Sequence, residues 1–132
     1  MSQLASLARR ALLAALLSSL ALPLALLGAG PASAHAIVVT SEPAAGAALA
    51  AAPRQVTIRF NSRLDHARSR LLLIGADNAQ IPLPIAEESD PVVLAASLPA
   101  TIAPGEWRLR WQVLAIDGHI TRGDIPFTLK AP

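Results

Sequence analysis

Along Glu106–Leu114 (EWRLRWQVL) apolar and polar side chains alternate without a break. Trp107, Leu109, Trp111 and Val113 fall on one side, and Arg108, Arg110 and Gln112 on the other. A period of two fits an extended strand that buries one face, whereas a helix scatters the same residues around its circumference. The pattern recurs in Arg54–Phe60, through Val56, Ile58 and Phe60, and in Asp124–Lys130, through Ile125, Phe127 and Leu129. Shorter strands are predicted at Ile37–Thr40, Arg70–Ile74, Gln80–Ile85 and Val92–Ala96. Pro82 and Pro84 confine the Gln80–Ile85 segment to a sheet edge, because proline has no N–H to donate to a neighbouring strand. Ala44–Ala52 is rich in alanine, but Pro43, Gly46 and Pro53 mark it as a connecting loop or brief turn. Asn61–Ala67 reads as a polar loop. About seven short strands and no convincing helix predict an all-β chain folded as a sandwich of two antiparallel sheets. Trp107, Trp111, Phe60 and Phe127 are then expected to fill the space between the sheets.

The first 34 residues have a different character. Arg9 and Arg10 precede the apolar run Ala11–Leu22, and Ala32-Ser33-Ala34 offers a small-x-small cleavage site. Ser18, Ser19 and Pro23 interrupt the apolar stretch, and no basic stop-transfer cluster follows it. Residues 1–34 are therefore read as a removable export signal rather than a membrane anchor, and residues 35–132 as the domain. The domain holds nine Lys and Arg against nine Asp and Glu, so the high isoelectric point of the whole chain comes largely from the leader. A chain of no net charge and no basic run does not suit binding to a nucleic-acid backbone. Cysteine is absent, which removes disulfides, zinc–thiolate sites and cysteine catalysis from consideration.

Cleavage after Ala34 leaves His35 with a free α-amino group. That amine and the Nδ1 of the same imidazole close a six-membered chelate ring on one metal ion, which an internal histidine cannot do. The amine titrates near pH ~8 and the imidazole near ~6.5, so both yield protons to a strong Lewis acid. Between the last two predicted strands lies Asp117-Gly118-His119. In extended backbone residues two apart leave the same face, so Asp117 and His119 can converge on one point. Three nitrogens and one oxygen suit tetragonal Cu(II), with Ni(II) next, while zinc prefers a tetrahedron. Cu(I) calls for sulfur ligands, and the only methionine is Met1. The acidic run Glu87-Glu88-Ser89-Asp90 reads as a solvated loop rather than a calcium or magnesium site.

An ordered set of motifs now stands out: His35-Ala36 after the cleavage site, Ser41-Glu-Pro-Ala-Ala-Gly46, Pro53, VTIRFN (Val56–Asn61), Trp111, Asp117-Gly118-His119, Gly123 and Phe127. In these the chain resembles the CopC-like copper-binding proteins of the bacterial periplasm, across essentially the whole of residues 35–132. The resemblance implies a Greek-key β-sandwich, immunoglobulin-like or cupredoxin-like in form. It further implies one Cu(II) per chain, held by His35, Asp117 and His119, and a role in copper homeostasis or resistance. A CopD-like inner-membrane protein is the implied partner for delivery, and a periplasmic monomer the implied state.

Two departures accompany the resemblance. Several members carry an acidic residue just after the phenylalanine equivalent to Phe60, where this chain has Asn61, Ser62 and Arg63, with Asp65 a nearby substitute. Members with a Cu(I) site carry methionine-rich segments that are missing here, which points to the Cu(II)-only type. For His66 two readings stay open, an approach to the copper site and a surface loop. Two other functions compete with this one. A copper oxidase with an N-terminal histidine chelate wants an open coordination position and a flat aromatic surface, but there is no tyrosine and every Trp and Phe sits at core parity. A metal-free exported interaction domain follows if cleavage misses His35. A carrier without catalytic activity is the expectation, its site completed by a loose N-terminus folding back.

Overall fold

The computed structural model describes residues 35–132, so the predicted export signal and its cleavage point lie outside the described residues. Eight strands run in chain order: β1 (Val38–Glu42), β2 (Ala47–Leu49), β3 (Gln55–Phe60), β4 (Leu64–Gly75), β5 (Gln80–Pro82), β6 (Val93–Ser97), β7 (Gly105–Ala115) and β8 (Ile120–Leu129). They form a three-stranded sheet, β1-β3-β6, and a five-stranded sheet, β2-β8-β7-β4-β5, packed as a β-sandwich. Among the described residues no helix is long and apolar enough to cross a membrane.

The alternating segments do what their period requires. Val56, Ile58 and Phe60 from β3 meet Leu109, Trp111 and Val113 from β7 and Ile125 and Phe127 from β8 in one core, and Leu129 of β8 is buried as well. Leu71, Leu73 and Leu94 complete it. Burying a side chain of this size contributes roughly 1.5–3 kcal/mol, so the core is the main source of stability. Phe60 and Trp111 pack edge to face with centroids 5.0 Å apart, the arrangement favoured by the ring quadrupoles. Trp111 lies across β8 at Gly123, where a Cβ would stand 2.5 Å from its Cζ2. Glycine at 123 is thus a requirement of space.

Several expectations differ from the structure. Trp107 is only half-buried at the margin of the core, and its Nε1 donates to the Ala103 carbonyl at 2.9 Å. Ala47–Leu49 is a strand rather than a loop, and it pairs in parallel with Phe127–Leu129, so the sheets are not wholly antiparallel. Its local sequence is neutral; the ladder offered by β8 decides it. Of the segment expected as a polar loop, Asn61–Arg63 lies outside the strands, but Leu64–Ala67 is part of β4, which starts at Leu64 against Ala115 and then bulges between Asp65 and Arg70. Ser69 staples that bulge, its hydroxyl donating to the Asp65 carbonyl (2.7 Å) and accepting from the Leu114 amide (3.2 Å). The segment containing Pro82, by contrast, does lie at a sheet edge, as β5.

Candidate metal centre

The β7–β8 hairpin closes through Ile116–His119, a tight turn rather than the extended backbone anticipated for Asp117 and His119. Ala115 donates to the His119 carbonyl and Gly118 to the Ala115 carbonyl, each at 2.9 Å. Gly118 has φ of 91°, a left-handed conformation that a side chain disfavours. Its role is therefore conformational, beyond merely leaving room. Asp117 and His119 converge because the carboxylate folds back on the turn. Asp117 Oδ1 accepts the His119 backbone N–H at 3.1 Å, and Oδ2 stands 3.0 Å from His119 Nδ1. The His119 amide, followed by its ring, holds the Asp117 carboxyl below the usual carboxylate range, although partial burial opposes this. The carboxylate thus fixes the imidazole through Nδ1 and leaves Nε2 on the far side of the ring.

His35 reaches the same place from the other sheet. Its ring lies 5.3 Å from that of His119, centroid to centroid, tilted by 34°. The arm that carries it is docked, not loose as expected. Ala36 is 4% exposed and belongs to the core. The Thr121 hydroxyl donates to the Ala36 carbonyl at 3.2 Å. The Ile37 amide donates to Asn61 Oδ1 at 2.8 Å, and the Asn61 amide donates back to the Ile37 carbonyl at 3.0 Å. Asn61, in the position where an acidic residue was looked for, thus grips the arm on both sides of Ile37. Sequence reading flagged Asn61 only as a departure and missed Thr121, since each partner lies far away along the chain.

The neighbouring candidates are engaged elsewhere. Asp65 Oδ1 accepts from the Arg68 amide at 3.1 Å, and Oδ2 faces Arg68 Nε at 3.8 Å. His66 is in β4, not a surface loop, and its Nε2 lies 2.8 Å from the Val93 carbonyl of β6. Among the described residues no three His, Asp or Glu side chains are drawn into a ready-made metal cage. What the fold assembles is a pair of imidazoles with a carboxylate on one of them. Such a set offers two aromatic nitrogens and an anionic oxygen, a donor combination of intermediate hardness that fits a borderline divalent transition ion. The large exposed apolar residues Ile116 and Ile120 flank the turn, and Ile37 adjoins the arm.

Fold and edge cluster together define a small β-sandwich protein with an imidazole-bearing turn at one end. Residues 38–130 match the model of the CopC domain, so the chain belongs to the CopC family. Among curated relatives, Protein YobA of Escherichia coli strain K12 is 34% identical over 99 residues, covering 74% of this chain and 80% of its own. The Copper transport protein CutJ of Bacillus subtilis strain 168 is 26% identical over 98 residues, which are 73% of this chain but 18% of that one. Of solved structures, CopC from Methylosinus trichosporium OB3b superposes with a TM-score of 0.68 at 28% identity, covering 73% of this chain and 94% of that one. PcoC from Escherichia coli, a methionine-rich copper resistance protein, gives 0.61 at 26% identity, covering 74% and 100%.

Proposed function

We propose that this protein is an exported, non-catalytic carrier or buffer for Cu(II) in copper homeostasis or resistance. It takes one ion per chain through the His35 amine and ring, Asp117 and His119. Family membership and the copper-protein relatives support the copper assignment. The observation that carries the choice of site is the meeting of His35 and His119, far apart in sequence, at 5.3 Å with Asp117 on the second ring. The choice of Cu(II) is supported by the donors, since the only methionine is Met1 and there is no cysteine. Removal of residues 1–34 in the periplasm supplies the amine. A CopD-like membrane protein is the proposed recipient, and the carrier works as a monomer.

The test is a Cu(II) titration of the processed chain beginning at His35. One equivalent is expected to give a tetragonal EPR spectrum with nitrogen hyperfine coupling. One residue added before His35 destroys the chelate and weakens binding sharply. His119→Ala removes one nitrogen donor, and Asp117→Ala one oxygen. Unchanged affinity in the extended protein refutes the amine ligand, and no uptake by any form refutes the function.

A further inference from the structure

Three hydrogen bonds converge on the short arm between His35 and β1, made by Thr121 and Asn61. Thr121 stands two residues after His119, so the strand that carries one imidazole also holds the peptide following the other. Asn61 ends the β3 run and closes a two-bond ring with Ile37. Between these anchors the Ala36 methyl is buried. An arm with a buried side chain and three satisfied backbone groups is not a free tail, because local opening must break all of these together.

We infer that Asn61 and Thr121 are positioning residues that clasp the N-terminal arm and set the His35 ring over His119 before any metal arrives. This rests on the function proposed above. The clasp means that binding an ion does not have to order the arm, so the entropy of fixing the first ligand has been spent in folding. It also makes release the step that the clasp controls. An ion leaves fastest when the arm lifts, and the arm lifts only when the Asn61 and Thr121 bonds open. Asn61 suits this role because its side-chain oxygen accepts from the Ile37 amide without adding a charge to the arm.

The experiment uses the processed full chain with Asn61→Leu, Thr121→Val and the double substitution, each removing a polar partner at nearly constant volume. Asn61→Asp, which keeps an oxygen for the Ile37 amide, is the rescue control. In the metal-free proteins, amide exchange at Ile37 is expected to accelerate about fivefold for each lost hydrogen bond. Exchange at the core residues Ile58 and Leu109 stays as in the parent, and Asn61→Asp keeps Ile37 protected. Cu(II) dissociation into a chelator should accelerate by a similar factor in the Leu and Val variants. Unaltered Ile37 exchange in the double variant overturns the clasp. Faster exchange with unaltered copper release overturns its positioning role. Faster Ile37 exchange in the variants of a parent that binds no Cu(II) upholds the docking of the arm while refuting the function on which its purpose rests. If Asn61→Leu does not fold, Thr121→Val, half-buried near the start of β8, decides the matter alone.

Discussion

Replacing Gly123 by alanine adds one methyl group at the tightest point between β7 and β8. The new Cβ would lie 2.5 Å from Trp111 Cζ2 and 2.8 Å from Cε2, distances that carbon atoms do not sustain. The indole cannot simply swing away, because it is buried and packed edge-on against Phe60. Overpacking of this kind costs about 1–3 kcal/mol. Alanine also restricts the unfolded chain, which returns about 0.4–1 kcal/mol. The net loss is about 1–2 kcal/mol, and at ~4–8 °C per kcal/mol for a domain of this size Tm falls by about 5–15 °C. Thermal unfolding followed by near-ultraviolet circular dichroism measures both the midpoint and the tryptophan environment. A Tm equal to or above that of the parent, with an unchanged aromatic spectrum, would show that Trp111 does not lie across Gly123 as described.

Two further outcomes are expected. Ser69→Ala leaves the Leu114 amide and Asp65 carbonyl without their shared partner, and should lower stability by about 1–3 kcal/mol in urea denaturation. Asp124 receives a bidentate pair of bonds from Arg110 at 2.8 Å each, which holds its carboxyl below the usual range. Because the folded pKa is depressed, the pair stabilises fully above the ordinary aspartate pKa of ~3.9 and is lost as pH falls through the folded value. Asp124→Asn should therefore flatten stability against pH below pH ~4, by under about 1 kcal/mol since the pair is partly exposed; identical curves for both proteins refute this.

β3, β7 and the Asp124–Leu129 part of β8 were legible because one buried face writes itself into every second residue, whereas Ile120–Gly123, read as a connection, is the start of β8. β2 was not, since Ala47–Leu49 owes its conformation to a ladder with Phe127–Leu129 nearly at the other end of the chain. The start of β4 was hidden in the same way, its polar residues forming a bulge that only the Ser69 staple and the end of β7 make intelligible. For the site, His35, Asp117 and His119 were nameable from residue chemistry and resemblance, but not the geometry that joins them. The Asp-Gly-His turn reaches its arrangement through a left-handed glycine and a back-folded carboxylate, which strand parity does not foresee. The docking of the arm was invisible for a related reason. Ala36 is an unremarkable alanine until Thr121, 85 positions away, accounts for its carbonyl.

His35 leads into the sheet of β1, β3 and β6, whereas His119 closes a hairpin of the opposite sheet. On the proposed reading, a single ion bonded to both acts as a rivet through the open end of the sandwich. Occupancy then registers as resistance to unfolding, growing as RT ln(1 + [Cu]/Kd), about 2.7 kcal/mol at a hundredfold excess over Kd. Whatever strips the ion withdraws that rivet and leaves the Thr121 and Asn61 bonds to hold the arm alone, so a loaded molecule and an emptied one differ in stability at the edge that carries the ion.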